Sequence, residues 1–158
     1  MADPIEAATA ALREEHTVRG LLETTCRELT ETLDASACLI SRVVGDLLIS
    51  LVEFSRGERA PGIGHEYLIS DYPLTHEVIA RGEPRSVSVL DDAPEPNEAE
   101  LLEKLGFESL LMVCLPSGGT CWGLVEIYGE GTTFDEGQAG IAHDIAIQAG
   151  RQLEQISD

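Results

Sequence analysis

Lysine is nearly absent from this sequence, which carries nine arginines and only Lys104 against 29 acidic residues, for a formal charge of −19. No basic cluster occurs in it. Proteins that bind nucleic acid or anionic membranes do so largely by neutralising phosphates with Lys and Arg. We therefore expect no nucleic-acid or membrane partner, leave a cationic protein partner open, and interpret the excess carboxylate as a solubilising surface.

Long apolar runs are also missing. No segment approaches the ~18 apolar residues that span a bilayer, and the N-terminus lacks the features of a secretory signal peptide. We therefore expect a cytoplasmic protein. A chain of 158 residues with 43% hydrophobic composition can bury a core by itself, which predicts a single domain over residues 1–158.

Cysteine and histidine are sparse and scattered. The four cysteines suit neither a disulfide framework nor a zinc site, and a reducing compartment would keep them as thiols. The four histidines fall in four different predicted elements, without the spacing of metal ligands. No glycine-rich phosphate loop or catalytic constellation accompanies them, so we expect no metal site and no enzyme. These residues are Cys26, Cys38, Cys114, Cys121, His16, His65, His76 and His143.

Apolar residues recur at helical spacing near both ends of the chain. They predict one long helix over about residues 5–33 and another over about 134–156, the latter opened by Thr133 and Glu136 at capping-box spacing. The stripes exceed what one sheet face needs, which predicts a homodimer through the terminal helices. Their members are Val18, Leu22, Leu29, Leu33, Ile145, Leu153 and Ile156.

The centre of the chain is typical of strands with short helices between them. "ACLISRVV" and "LLISLVEF" flank a two-residue turn at Gly45-Asp46 and are apolar on both faces, so the sheet is predicted to be covered on both sides. Residues 55–74 lack periodicity and are interpreted as a pocket cover. Short helices are predicted from Thr75 as N-cap and from Asn97 as N-cap.

The stretch "SLLMVCLPSGGTCWGLVEIYG" predicts a second hairpin, with "PSGG" as its loop and Cys114 opposite Cys121. That register puts Cys114 on one face with Val125, and Glu126 on the other face. Opposed strand residues lie close enough for a disulfide, but buried cysteines usually pack as small hydrophobes. We favour packing, with a thiol-redox pair as the alternative.

In this order the elements resemble the GAF domain over nearly the whole chain. The motifs that carry the resemblance are "HEVIARGEPRSVSV", the hairpin with Gly123, and "TTFDEGQ". The resemblance implies an α+β fold with an antiparallel six-stranded sheet, terminal helices on one face, and short helices and loops over a pocket on the other. It also implies a sensory or regulatory role in bacterial or archaeal signalling, with a kinase, cyclase or phosphatase as possible output.

The sequence departs from the family's known motifs at several positions, and these departures reduce the number of ligands and reactions expected for this chain. A Cys-His dipeptide, which bilin-attaching members use, does not occur, so bilin attachment is not expected. Of the cyclic-nucleotide motif only Phe134, Asp135 and Glu136 remain, and these also suit a helix start. The cysteines that the methionine-sulfoxide reductases of the family need are absent between Arg56 and Met112.

The resulting prediction is a pocket for a small molecule whose identity the sequence does not give. A ligand-free dimerisation domain is the alternative, followed by a redox sensor or a haem sensor that uses His76 or His65. The predicted pocket residues are Tyr67, Tyr72, His76, Ser88, Phe107 and Glu126.

Overall fold

A six-stranded antiparallel sheet with the strand order β3-β2-β1-β6-β5-β4 forms the centre of the molecule. The computed structural model describes residues 3–62, 66–131 and 133–157, with only the backbone at 157. The predicted α+β fold is confirmed. The strands are β1 (Ala37–Val44), β2 (Leu47–Ser55), β3 (Glu66–Leu68), β4 (Arg85–Ser88), β5 (Ser109–Ser117) and β6 (Thr120–Gly129).

Helices cover both faces of this sheet, because its central strands are apolar on both sides. The helices are α1 (Pro4–Arg13), α2 (Val18–Thr32), α3 (Pro73–Arg81), α4 (Pro96–Leu105) and α5 (Glu136–Ser157). We call the face under α1, α2 and α5 the helical flank, and the face under α3, α4 and residues 66–72 the lid flank. Each flank has its own apolar core, as the sequence predicts.

The prediction of one continuous helix over residues 5–33 is wrong. The segment forms two helices, α1 and α2, separated at residues 14–17. Thr17 takes an extended backbone conformation and its hydroxyl accepts a hydrogen bond from Gly20 N at 3.0 Å, which makes it the N-cap of α2. The apolar spacing continues across this corner because both helices pack on the same flank, so periodicity alone does not show the break.

The capping predictions for the other helices also need correction. Thr133 does not open α5; instead Asp135 and Gln138 exchange two hydrogen bonds, of 2.9 and 2.8 Å, as a capping box. Helix α4 begins one residue before Asn97 and is capped by Glu95, whose carboxylate accepts from Glu98 N at 2.7 Å. Competing oxygens within two residues of a helix start make such assignments ambiguous in sequence.

Helix α3 begins at Pro73, two residues before the predicted Thr75. Part of the predicted pocket cover is ordered too, as β3 and a 3₁₀ turn at Ile69–Asp71, although residues 63–65 lie outside the described residues. Strand β3 pairs with β2, placing Tyr67 opposite Leu48 on the lid flank. The cover is therefore attached to the edge of the sheet.

The register of the second hairpin differs from the prediction. Its turn consists of Gly118 and Gly119, both with left-handed φ (62° and 81°). Strand β6 carries one extra residue, Trp122, because Leu115 pairs with Gly123 while Pro116 pairs with Cys121. Proline has no N–H to continue the ladder, so the irregularity falls there. As a result Glu126 pairs with Met112 and shares the lid flank with it, whereas the predicted register put them on opposite faces.

The apolar stripe of the terminal helices is consumed within one chain. Leu22, Leu29, Leu33, Ile145 and Leu153 are all buried on the helical flank, Ile156 is partly buried against the same core, and Val18 is 36% exposed. The stripe therefore does not supply the surplus surface from which a dimer was predicted. No helix among residues 3–62, 66–131 and 133–157 is long and apolar enough to cross a membrane.

Candidate functional site

Two carboxylates are buried in the otherwise apolar lid flank. Glu126 projects from β6 and is 8% exposed, and Glu98 projects from α4 and is 2% exposed. We call them the acidic pair. Buried carboxylates are costly unless they are paired or protonated, so they are informative positions in an apolar core.

Glu126 is hydrogen-bonded by a neighbour on its own strand. The hydroxyl of Tyr128, two residues along and therefore on the same face, donates to Glu126 Oε2 at 3.0 Å. Burial raises the pKa of Glu126 to about 7; the tyrosine hydrogen bond opposes the rise and the charge of Glu98 adds to it. This side chain consequently changes its protonation state near neutral pH.

Glu98 enters the same flank from the opposite wall. Its Oε1 accepts hydrogen bonds from Thr75 N at 2.9 Å and from Thr75 Oγ1 at 2.8 Å. Burial raises the pKa of Glu98, and the two bonds from Thr75 limit the rise. Thr75 Oγ1 also lies 3.3 Å from the sulfur of Met112, which is the cross-strand neighbour of Glu126. The acidic pair thus lies along one buried seam between the sheet and the lid.

Aromatic rings line this seam. The rings of Phe107 and Tyr128 lie 4.9 Å apart and both are buried, while Tyr67 and Tyr72 meet edge to face at 6.0 Å. Burial and the charge of Glu126 raise the pKa of Tyr67, and the same two causes raise that of Tyr128. The seam therefore combines negative charge with aromatic surface.

Four of the six predicted pocket residues lie on this flank, namely Tyr67, Tyr72, Phe107 and Glu126. Ser88 does not, because its neighbour Val87 packs on the lid flank and strand side chains alternate. The Ser88 hydroxyl accepts instead from Leu90 N at 3.0 Å. His76 is exposed on α3, and His65 lies outside the described residues. The haem hypothesis gains no support from these positions.

The seam is closed in this structure. Leu39, Ile69, Val78, Leu102 and Leu124 are all buried around it, and the tyrosine pair lies at its edge. On the outer surface of the lid, a groove of about 250 Å³ runs between Tyr72 and α4. A guest molecule in the seam therefore requires displacement of lid side chains.

A family profile described as "GAF domain" matches residues 17–153. This chain belongs to the GAF domain family. The matched range runs from the N-cap of α2 into the last turns of α5 and includes the whole sheet but not α1. No curated protein matches the sequence.

Solved structures similar to this GAF domain include photoreceptors. A far-red-absorbing dark-state protein with bound biliverdin IXa superposes with a TM-score of 0.83 at 16% identity, covering 99% of this chain and 100% of that one. The photosensory core module of the Stigmatella aurantiaca phytochrome gives 0.82 at 15%, covering 96% and 36%. A phycoerythrobilin-bound GAF domain of a cyanobacterial phytochrome gives 0.78 at 18%, covering 97% and 93%. The TM-scores show that these proteins share a fold with this chain, and identities this low show no more than that.

Sequence reasoning missed half of the acidic pair. Glu98 stands in the acidic stretch "EPNEAE", where a surface position is the natural expectation, and no local signal marks it as buried. The contact between Tyr128 and Glu126 could have been predicted, because residues two positions apart on one strand lie on the same face of the sheet. Thr75 was interpreted as a cap, although its hydroxyl serves Glu98.

The hairpin of this GAF domain carries a disulfide between Cys114 and Cys121, whose Cα atoms are 5.6 Å apart. The interpretation as packed free thiols is therefore wrong for this pair. It is right for Cys26 and Cys38, which are free and buried. Cys121 pairs with Pro116, which lies two residues from Cys114 on β5, so the two cysteines share a face of the hairpin.

Reduction of this disulfide is expected to lower the free energy of unfolding by about 2 kcal/mol, because the bond closes a short loop that the unfolded chain then regains. Chemical denaturation with and without reductant measures this. The Cys121→Ser variant is the control and is expected not to respond to reductant. Four reactive thiols in the denatured, unreduced protein, in place of two, would contradict the assignment.

Proposed function

We propose that this GAF domain is a sensory module that binds a small molecule along the lid-flank seam. The observation that carries the proposal is the acidic pair, which stands in an apolar, aromatic interior without a basic partner among the described residues. Ligand pockets are typically apolar with a few convergent polar groups, and perturbed ionisable residues mark them.

The chemistry of the seam favours a ligand that donates hydrogen bonds or carries positive charge. A carboxylate such as Glu126 gains most from a cationic or N–H partner in low dielectric, and the rings of Phe107 and Tyr128 suit an apolar or aromatic body. A compact aromatic amine fits both requirements. No catalytic role is proposed for the pair.

Bilins are a second class of candidate ligand, because two of the similar solved structures hold a bilin. Their pyrrole N–H groups are hydrogen-bond donors, which the acidic pair accepts. Attachment through a cysteine is not proposed, since Cys26 and Cys38 lie on the helical flank and Cys114 is joined to Cys121. Binding would be non-covalent.

Signal transmission is proposed to cross the sheet. Val125 and Ile127 flank Glu126 on β6 and point to the opposite face, where they pack in the core beneath α5. A ligand that displaces Glu126 therefore shifts the strand on which the helical flank rests. The output is proposed to be a signalling domain such as a kinase, cyclase or phosphatase, coupled through the terminal helices, as a monomer or a homodimer.

The closed seam also favours a second candidate function, a ligand-free connector. In that case the aromatic residues fill the core and the helices transmit signals from elsewhere. Such a domain has no need of the acidic pair, whereas a ligand site does.

Thermal unfolding in the presence of tyramine, biliverdin, haem and nitrate distinguishes the two functions. Under the sensor proposal tyramine or biliverdin stabilises the protein, by about 2.7 kcal/mol at a hundredfold excess over the dissociation constant, and nitrate does not. Glu126→Gln is expected to weaken that effect, whereas Glu83→Gln, at an exposed position, leaves it unchanged. If none of the four compounds stabilises the protein, the ligand-free connector is favoured over the sensor.

A further inference from the structure

A second candidate site is a cavity on the helical flank, away from the seam. It is a groove of about 740 Å³ between α1 and α5. On the α1 side it is lined by Thr9 and Arg13, one helical turn apart, and by His16 in the connection to α2. This wall is polar and basic.

The α5 wall is equally regular. It is lined by Gln148, Arg151, Gln152 and Gln155, in which 148 and 151, 148 and 152, 151 and 155, and 152 and 155 are three or four residues apart, so they share one face of the helix. The groove, which we call the basic groove, therefore collects two guanidinium groups, an imidazole and three amides. Within a chain of net charge −19, such a surface is unusual.

Among the described residues, the two arginines of the basic groove are also the two without an ion pair or a cation–π contact. Every other arginine and the lysine either form an ion pair or, in the case of Arg42, lie over Trp122. Arg13 and Arg151 form no ion pair with any described residue. Carboxylates outnumber cations almost threefold, so the exception at this one place is informative.

Nearby acids are directed elsewhere. Glu15 accepts a hydrogen bond from Thr24 Oγ1 at 2.9 Å, and Glu154 accepts from Gly118 N at 2.9 Å. Neither of these glutamates lines the groove. Neither of these two carboxylates therefore forms an ion pair with Arg13 or Arg151.

We propose that the basic groove binds a small molecule that carries at least two oxyanion groups, phosphate or carboxylate. The planar fork of arginine matches such groups with paired hydrogen bonds, and the side-chain amides of Gln148 and Gln155 add further donors. Two arginines on opposite walls, Arg13 and Arg151, call for two anionic groups in one ligand. The volume falls within the range of about 300–1,000 Å³ of small-molecule sites.

Titration calorimetry with pyrophosphate and with citrate, at low salt, tests the proposal and separates phosphate from carboxylate as the preferred group. We expect at least one of them to bind, and Arg13→Gln and Arg151→Gln each to weaken it about 10-fold. Arg19→Gln is the matched control, since Arg19 is exposed and paired with Glu23 outside the groove. The affinity is expected to fall as salt is added.

Binding of neither anion, or equal binding by all three variants, overturns the proposal. Light scattering on the same proteins provides a further check, because an acidic surface of a second copy could also neutralise the groove. A dimer of the parent protein that Arg13→Gln and Arg151→Gln convert to monomer, with no effect of Arg19→Gln, would assign the groove to self-association and overturn the small-molecule site. Circular dichroism verifies that the variants are folded.

Discussion

Replacement of Gly150 by alanine is expected to lower the free energy of unfolding by about 3 kcal/mol, even though alanine is the better helix former. Gly150 lies in α5 directly over the hairpin, and a Cβ there would lie 1.9 Å from the carbonyl oxygen of Pro116 and 3.1 Å from its carbonyl carbon. Both are backbone atoms, so no side chain can rotate away. The helix would have to lift off the sheet.

Gly140 provides the matched control in the same helix. A Cβ at this position meets nothing within 4 Å. Gly140→Ala is therefore expected to raise the free energy of unfolding by up to about 1 kcal/mol, because it removes conformational freedom from the unfolded chain. Urea denaturation of both variants measures the difference. If Gly150→Ala were as stable as the parent protein, the close contact between α5 and the hairpin would be disproved.

Replacement of Glu126 by glutamine is expected to stabilise the protein at alkaline pH. The folded-state pKa of Glu126, about 7, lies above its ordinary value of 4.5, so the folded protein holds a proton that the unfolded chain releases. Its contribution to stability is fully present below pH 4.5 and is lost as the pH rises through 7. Glutamine stays neutral throughout. Its advantage over glutamate is expected to grow by about 2–3 kcal/mol between pH 5 and pH 8.

The measurement is the free energy of unfolding of the parent protein and of Glu126→Gln at several pH values. Taking the difference cancels the titration of the other acidic residues. Glu83→Gln serves as the control and is expected to show a difference that does not depend on pH. A pH-independent difference for Glu126→Gln as well would mean that Glu126 is solvated in the folded state.

The two-sided sheet could be predicted from the chain because its evidence is local. The strands of residues 37–44 and 109–117 are apolar at both odd and even positions, and a strand of that kind is stable only between two layers. The end helices carry stripes at helical spacing for the same reason. These patterns place the helical flank and the lid flank, since each depends on periodicity within a few residues.

The register of the second hairpin could not be predicted in this way. The dipeptide Gly118-Gly119 and the bulge at Trp122 shift the pairing, and a shift of one residue exchanges the faces of a strand. That shift decides that Glu126 lies beside Met112. Local preference does not choose between a two-residue and a four-residue turn with sufficient certainty, because packing on both faces contributes to the choice.

By itself the sequence determined the elements and the layers of this protein, because hydrophobic periodicity and turn chemistry act over short distances along the chain. Only the tertiary structure decided which charged side chains are buried away from water and which have no ion-pair partner among the described residues. Glu98 and Glu126 come from separate elements and become an acidic pair only when α4 closes over the sheet. Arg13 and Arg151, 138 residues apart in the chain, form one groove only when α1 and α5 lie side by side. Desolvation and charge proximity depend on distances in space, which spacing along the chain does not encode.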